Sequence, residues 1–251
     1  MNPNHDDWKM NMPSGVNEIA AKAISDLKSH ANPTNVEGMR QYGIHVENAL
    51  GVSMPMIRGM AKTLGRDHQL AQLVWASGLH EARILAGLID EPEKVTFAQM
   101  ESWIKEVDSW DVCDQLCSNL FDKTIYAYQA ARKWSKKHQV FVKRAGYVLM
   151  AVLAVHDKKA GDGPFLEFLT FVREGSDDDR NFVKKSVNWA LRQIGKRNLK
   201  LNEAAIATAR LIEENPSTSA HWIAKDALRE LTNDATLERL RKKASSSKQK
   251  R

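Results

Sequence analysis

The chain has 251 residues, and 43% of them are hydrophobic, so it is long enough to bury a sizeable core in one large domain or two small ones. No uninterrupted apolar run reaches about 18 residues, which argues against a membrane span, and the first dozen residues lack the apolar core of a secretion signal. The formal net charge of +6 and the pI near 9.2 favour a nucleic-acid partner only if the positive charge lies on the folded body.

Helical spacing of apolar residues fills almost every segment between chain breakers, and no segment alternates convincingly with the period of two that marks a strand. The spacing predicts helices over residues 15–29, 54–64, 67–77, 79–90, 96–106, 109–121, 124–136, 139–155, 164–173, 178–194, 200–213, 217–231 and 234–243. Gly65, Gly78 and Pro92 lie where such helices should end. We therefore predict an all-α protein with a single domain over residues 15–240, preceded by a flexible N-terminus over residues 1–14.

The helix predicted to begin near Ser109 carries the first candidate site. Trp110 lies in its first turn and Asp114 four residues later, so both side chains share one face. They fall at the edge of an apolar stripe, where a side chain can reach a groove while its stem packs. Alternatively, Trp110 is a core aromatic and Asp114 is a surface carboxylate or the partner of a neighbouring arginine.

Cys113 and Cys117 are the only cysteines, and they share a face of this helix. That spacing argues for packing rather than a structural disulfide, and it fits a reducing, cytoplasmic compartment. A zinc site would need further thiolate or imidazole ligands nearby, and the eight histidines are scattered. We therefore predict no metal site.

A short motif recurs at nearly constant spacing in the second half of the chain. Residues 141–145 (FVKRA) return as residues 182–186 (FVKKS), 41 positions later, and more loosely as residues 222–226 (WIAKD) after a further 40. HEAT and armadillo repeats have periods of about 40–47 residues, and each repeat buries its apolar side on its neighbours. The period therefore predicts a curved, HEAT-like helical solenoid with one concave face, which would be the DNA-binding face if the partner is a nucleic acid.

This repeat brings basic residues into register. Equivalent positions of stacked helices line up, so Arg144, Lys185 and Lys225 are candidates for a basic ladder along one groove. Alternatively, the three side chains are merely solvated positions on separate helices, and the repeat leaves both interpretations open.

Trp189 lies off the centre of the buried stripe of its helix, on the side of Lys185 and Gln193. An indole beside basic residues can contact a sugar or a base, although burial between repeats is the alternative. Four other tryptophans are interpreted as packing residues, namely Trp75, Trp103, Trp134 and Trp222.

The excess of positive charge lies at the C-terminus. Residues 241–251 contain six basic residues and no acidic residue, and the rest of the chain carries 31 of each sign. We predict a basic, Ser-rich, disordered tail over residues 241–251. The tail either adds sequence-independent attraction to DNA phosphates or serves only solubility.

Three ordered motifs connect the chain with a known family: residues 108–114 (DSWDVCD), residues 141–144 (FVKR) and residues 187–196 (VNWALRQIGK). Over approximately residues 39–231 the chain resembles the DNA alkylation repair family, in particular its HEAT-like alkylpurine DNA glycosylases. The resemblance implies an α-solenoid that removes N3- or N7-alkylated purines, such as 3-methyladenine and 7-methylguanine, from duplex DNA without flipping the lesion. Such an enzyme would initiate base excision repair.

The resemblance also implies roles for individual residues. The catalytic aspartate of the family falls on Asp114, its active-site arginine on Arg144, and two aromatic residues of its site on Trp110 and Trp189. A further aromatic residue near the lesion matches Tyr42. We expect the remaining DNA contacts from basic residues of the repeats, namely Lys143, Lys184, Lys185, Arg192 and Lys225.

The chemistry suits these side chains. An N3- or N7-alkylpurine is already cationic and leaves without protonation, while the sugar gains oxocarbenium character. An ionised carboxylate stabilises that charge and can orient the attacking water. The leading hypothesis is a monomeric glycosylase of the cytoplasm, associated with the bacterial nucleoid and needing neither metal nor cofactor. The alternative hypothesis is a non-catalytic helical-repeat module that binds DNA structures or another protein through the same face.

Overall fold

The computed structural model describes residues 14–248, and every regular element in that range is helical, which confirms the predicted all-α class. The α-helices are α1 (Ser14–Ser29), α2 (Pro33–Gln41), α3 (Met54–Leu64), α4 (His68–Trp75), α5 (His80–Ile89), α6 (Phe97–Glu106), α7 (Trp110–Asn119), α8 (Ala127–Trp134), α9 (Val140–His156), α10 (Gly163–Glu174), α11 (Asn181–Gly195), α12 (Leu199–Glu213), α13 (Thr218–Leu231) and α14 (Asp234–Lys248). A 3₁₀ turn over Phe121–Lys123 follows α7. Within the described range, no helix combines the length and the hydrophobicity that a membrane crossing requires.

The structure adds a helix, α2, that the spacing of apolar residues does not predict. α2 begins at Pro33, and the side chain of the N-cap residue Asn32 accepts a hydrogen bond from the backbone N–H of Asn35. No residue of α2 is buried, so the helix has no apolar stripe to detect. The pair Asn32 and Pro33 was the available signal, because Asn favours the N-cap and Pro the first helical position.

The described chain divides into two compact units, with the boundary inside α6, and residues 14–100 belong to the first unit. In this unit Glu81, which is buried near the start of α5, holds the loop that precedes α3. Its carboxylate accepts hydrogen bonds from the backbone N–H groups of Leu50, Gly51 and Val52 at 2.9, 2.6 and 3.2 Å. Gly51 has a φ of 75°, and a Cβ atom here would lie 2.2 Å from a backbone carbonyl oxygen. The loop therefore depends on both Glu81 and Gly51.

Replacement of Glu81 by Gln is expected to lower the free energy of unfolding by about 2–3 kcal/mol, because the amide offers one acceptor oxygen where the carboxylate offers two to three backbone N–H donors. Urea titration followed by circular dichroism measures the loss. Glu37→Gln is the matched control, since Glu37 makes an exposed pair with Arg40 on α2 and its replacement should change stability by less than about 0.5 kcal/mol. Equal losses for the two variants would contradict the anchoring role of Glu81.

The second unit, residues 101–248, stacks its helices in two layers. α7, α9, α11 and α13 pack as successive neighbours in what we call the first layer. α8, α10, α12 and α14 form the second layer, in which Tyr128 of α8 stacks on Phe168 of α10 at a centroid distance of 5.8 Å. Consecutive helices alternate between the layers, as expected for paired helical repeats.

α9 is the central helix of the second unit. Twelve of its seventeen residues are buried, and it contacts α7 and α8 on one side and α11 on the other. Gly146 permits close packing with α8, because a Cβ atom there would lie 2.3 Å from the backbone nitrogen of Ser135. A helix that is buried on most faces is fixed by its neighbours. The basic residues Lys143 and Arg144 in its first turns are therefore rigidly placed.

The last helix, α14, continues past its predicted end to Lys248, so most of the predicted disordered tail is helical. Leu240 of this helix is buried, and Lys243 Nζ donates a hydrogen bond of 2.7 Å to a backbone carbonyl that follows α11. The segment contains no Gly or Pro, and its Lys, Arg and Ala residues favour helix. The remaining tail residues 249–251, and residues 1–13 of the predicted flexible N-terminus, lie outside the described residues.

Candidate functional site

α7 presents Trp110 and Asp114 on one side, as its sequence predicts. Ser109 occupies the N-cap position with extended backbone, and its hydroxyl contacts the Asp111 carboxylate instead of capping the helix. Trp110 and Asp114 are partly exposed. The opposite side forms the predicted buried stripe, which consists of Val112, Cys113, Leu116, Cys117 and Leu120.

The two cysteines pack inside the second unit, as predicted. Both are free and buried, and their Sγ atoms lie 3.6 Å and 3.8 Å from the carbonyl oxygens of Phe141 and Ala145. Burial raises the pKa of the Cys117 thiol well above its ordinary value. Cys117 is therefore an unreactive packing residue. Among residues 14–248 no group of three or more His, Cys, Asp or Glu side chains has the arrangement of a metal site.

The central feature of the first layer is an ion pair between Asp114 of α7 and Arg144 of α9. Nε of Arg144 donates to one carboxylate oxygen at 2.9 Å, and Nη2 donates to the other at 2.8 Å. The Arg144 side chain is 7% exposed and the Asp114 side chain 17% exposed. This parallel two-bond arrangement is the geometrically most specific form of a carboxylate–guanidinium contact. It fixes Asp114 in position while leaving part of its side chain accessible.

Arg144 also extends the pair to a third helix. Its Nη1 donates a hydrogen bond of 2.7 Å to the carbonyl oxygen of Phe182 in α11. The predicted ladder of Arg144, Lys185 and Lys225 is therefore wrong for its first member, because all the hydrogen-bonding nitrogens of Arg144 point at protein acceptors inside the layer. Lys185 and Lys225 are exposed, as the ladder requires.

Burial raises the pKa of Asp114 above its ordinary value, and the negative charge of Asp111 adds to the rise. The charge and hydrogen bonds of Arg144 act in the opposite direction and favour the ionised carboxylate. Because a guanidinium keeps its proton in proteins, Arg144 supplies a positive charge that stabilises the ionised form of Asp114.

The other predicted basic residues fall into two groups. Lys143 and Arg192 are neutralised within the layer, since Lys143 binds Asp178 at 2.8 Å and Arg192 binds Asp226 at 3.0 Å. In the second group, Lys184 lies over the ring of a tryptophan, Trp222, and Lys185 and Lys225 reach the solvent. Of the predicted basic residues, Lys184, Lys185 and Lys225 are thus the ones without an acidic partner.

The aromatic residues also divide. Trp189 of α11 is partly exposed on the first layer, which is compatible with its predicted role. Trp222 is 41% exposed, so its interpretation as a packing residue is wrong, whereas Trp75, Trp103 and Trp134 are buried as expected. Tyr42, at the C-terminal end of α2 in the first unit, is 75% exposed.

The acidic partners of the basic residues were missed by sequence reasoning, although a signal for them existed. Four ion pairs join residues 34 or 35 positions apart: Arg132 with Glu167, Lys143 with Asp178, Arg192 with Asp226 and Lys196 with Glu230. A basic residue followed by an acidic residue 34 or 35 positions later is therefore a pattern that marks neutralised positions in this chain.

Asp178 gives this neutralisation a pH dependence. Burial disfavours its charged form, but hydrogen bonds from Arg180 and Lys143, together with their charges, outweigh burial and hold its pKa at about 2. Because the folded-state pKa lies below the ordinary value of 3.8, the stabilisation is complete above about pH 4 and is lost as the pH falls through about 2.

Asp178→Asn is therefore expected to lower stability by about 1–2 kcal/mol at pH 7, and the difference from the wild type should shrink between pH 4 and pH 2. Urea unfolding at several pH values measures it. The control is Asp177→Asn, which replaces the exposed neighbouring acid. A difference that stays constant down to the acid limit would show that Asp178 is not paired in solution.

A sequence model of DNA alkylation repair enzymes matches residues 23–231. The chain belongs to the DNA alkylation repair enzyme family. The match confirms the resemblance carried by the three sequence motifs, and it covers every predicted site residue from Tyr42 to Lys225.

One solved structure aligns with this chain at a TM-score of 0.69 and 18% sequence identity. The alignment covers 84% of this chain and 95% of the chain in the solved structure. It is described as belonging to a family related to the HEAT-like repeat DNA glycosylases, with affinity for branched DNA structures. At this identity the likeness establishes the fold alone, and it confirms the predicted HEAT-like helical repeats. A search of curated protein sequences found no match.

Proposed function

We propose that this member of the DNA alkylation repair enzyme family is a glycosylase that hydrolyses the N-glycosidic bond of cationic N3- or N7-alkylated purines in duplex DNA. It would act as a monomer on nucleoid DNA in the cytoplasm, without flipping the lesion and without metal or cofactor. The carboxylate of Asp114 stabilises positive charge on the deoxyribose as the purine leaves. The observation that carries the proposal is the fixed, partly exposed Asp114 carboxylate on the first layer.

The orientation of the ion pair leaves capacity on the carboxylate. A carboxylate has about four lone-pair positions, and Arg144 uses one on each oxygen. The remaining positions can face a sugar or a water molecule through the 17% of the side chain that is exposed. Arg144 therefore acts as a positioning residue for Asp114.

Electrostatic preorganisation is the physical basis of the proposed catalysis. A charge that is already fixed need not reorganise when the oxocarbenium-like sugar forms, so its stabilising effect is available at the transition state. Trp110 lies one helical turn before Asp114 and is partly exposed, as is Trp189 on α11. Their ring faces are suited to apolar and electrostatic contact with the CH groups of the sugar.

A second candidate function is supported by the same ion pair. If Asp114 and Arg144 serve only to bind α7, α9 and the carbonyl of Phe182 together, the first layer is a DNA-binding surface without catalysis. The affinity for branched DNA described for the related structure agrees with this candidate. A DNA-binding surface of this kind requires the exposed lysines but does not require the charge of Asp114.

Base release separates the two candidates. Duplex DNA treated with a methylating agent is incubated with the full-length protein, and free 7-methylguanine and 3-methyladenine are quantified by chromatography and mass spectrometry. Release above the spontaneous rate, proportional to protein concentration, is the result expected for a glycosylase. Salt-sensitive DNA binding with release at the spontaneous rate would overturn the glycosylase proposal in favour of the second candidate.

A further inference from the structure

The surface around Trp222 combines features that the proposed catalysis does not use. Among the six tryptophans that the structure describes, Trp222 of α13 is the one with more than a third of its surface exposed. Its apolar ring is not needed to fill the core, because the buried face of α13 consists of smaller side chains such as Ile223, Ala224 and Ala227. An indole in this position is available to a ligand.

One lysine without an acidic partner contacts this ring, and two more lie close to the contacting residues in sequence. The Nζ atom of Lys184 lies 5.1 Å from the centroid of the Trp222 ring. Lys185, the residue after Lys184, and Lys225, three residues after Trp222, are both exposed. Within residues 14–248 no carboxylate lies within ion-pair distance of Lys184, Lys185 or Lys225. Lys143, in contrast, is paired with an aspartate on a neighbouring segment.

The helical repeat explains why the ring lies at this place. Phe141, Phe182 and Trp222 are equivalent residues of three successive repeats, on α9, α11 and α13. The rings of Phe141 and Phe182 are in contact, with their centroids 5.6 Å apart. Phe141 and Phe182 are partly buried, and Trp222, the third member, is larger and exposed. The row thus ends in an aromatic surface that is open to solvent.

We propose that Trp222, together with Lys184 and Lys225, binds an unpaired nucleotide of a single-stranded DNA arm. An exposed aromatic ring offers a stacking face to any base, and flanking lysines bind the phosphates on either side. Bases within an intact duplex are stacked on each other, so the ring can accept only a base that has left the stack. The inference rests on the proposed DNA partner and does not require base release.

The occupant follows from charge complementarity. Lys184, Lys185 and Lys225 give the patch a positive sign, which matches a phosphate backbone. Lys184 makes a cation–π contact with the indole, and the exposed 41% of Trp222 is the surface that a base can contact. The site is therefore expected to bind an unpaired base of any identity, because stacking on an aromatic ring does not depend on the base.

The experiment compares two DNA probes of equal duplex length, one blunt and one carrying a single-stranded arm of about 10 nucleotides. Dissociation constants are measured by fluorescence anisotropy with the full-length protein. The wild type is expected to bind the armed probe more tightly. Trp222→Ala should weaken binding of the armed probe about 10-fold and that of the blunt probe less than about 2-fold, and Trp222→Phe should retain most of the preference.

Two controls make the result specific. Leu211→Ala removes another exposed apolar side chain, on α12 of the second layer, and should change neither dissociation constant. Lys184→Gln and Lys225→Gln should each reduce the salt dependence of binding to the armed probe by about one counterion.

Equal weakening of both probes by Trp222→Ala, no effect of that variant, or absence of a preference in the wild type would each overturn the inference. Base release is measured on the same protein preparations. A preference for the armed probe without base release would refute the glycosylase proposal and support this site. Base release without that preference would support the glycosylase proposal and refute this site.

Discussion

Replacing Asp114 by Asn should slow the release of alkylated purines from duplex DNA by at least about 100-fold, the loss typical of a missing electrostatic stabiliser in an active site. The amide is nearly isosteric with the carboxylate and still accepts a hydrogen bond from Arg144, but it carries no charge to oppose the developing charge on the sugar. The affinity for undamaged duplex should not fall, because DNA is itself an anion. The expected loss is therefore in the rate of bond cleavage and not in binding.

The measurement is single-turnover release of 7-methylguanine and 3-methyladenine, with duplex affinity determined in parallel. Asp90→Asn is the matched control, because Asp90 is a fully buried carboxylate of the first unit that is hydrogen-bonded by His68 and Gln99. It should lower stability without a specific loss of base release. Equal release by the wild type and Asp114→Asn would remove Asp114 from the mechanism.

Replacing Arg144 by Met should destabilise the second unit by about 3–5 kcal/mol, the usual cost of removing one partner from a buried ion pair. Methionine approximates the length of the apolar stem but leaves the Asp114 carboxylate and the Phe182 carbonyl without their donor. The double variant Asp114→Leu, Arg144→Met should recover at least about 1 kcal/mol of this loss, because it removes the uncompensated charge.

Urea unfolding of the wild type, Asp114→Leu, Arg144→Met and the double variant gives the four free energies of this double-mutant cycle. Lys133→Met is the control, since Lys133 pairs with Glu101 at a more exposed position, and it should cost less than about 1 kcal/mol. A loss below about 1 kcal/mol for Arg144→Met would contradict a desolvated pair. A stable double variant that no longer releases bases would separate the catalytic contribution of the charge from its structural contribution.

The two results together decide how α7 and α9 are used. If Asp114→Asn abolishes release and Arg144→Met lowers both stability and release, the ion pair holds a catalytic group in place. If only stability responds, the pair is a clamp between helices, and the first layer acts as a binding surface.

Much of the site could be predicted because its signals are local. The apolar stripe of α7 fixed which residues turn inward, so Trp110 and Asp114 had to lie at its edge. The repeat at 41 and 40 residues predicted stacked helical pairs, and the spacing of Cys113 and Cys117 on one helix face predicted that they pack without a disulfide. α2 escaped prediction because it buries nothing.

The basic ladder was wrong at Arg144 for a physical reason. Sequence spacing aligns Arg144 with Lys185 and Lys225, but it does not state which of them meets an acid from a neighbouring helix. Arg144 meets Asp114 across 30 residues, and Lys143 meets Asp178 across 35. Such pairings depend on the offset between packed helices, which a single-sequence pattern leaves undetermined.

The sequence by itself determined the helical class, most helix positions, the repeat period and the membership of Asp114 and Trp110 in one helix face. These properties follow from periodicities of a few residues and from residue types, so they do not depend on how distant segments meet. Only the tertiary structure decided that Arg144 is buried against Asp114, that Lys143 and Arg192 are neutralised, and that Trp222 is exposed among free lysines. Burial and ion pairing are properties of contacts between helices, and their energies depend on which partner removes the water from each group.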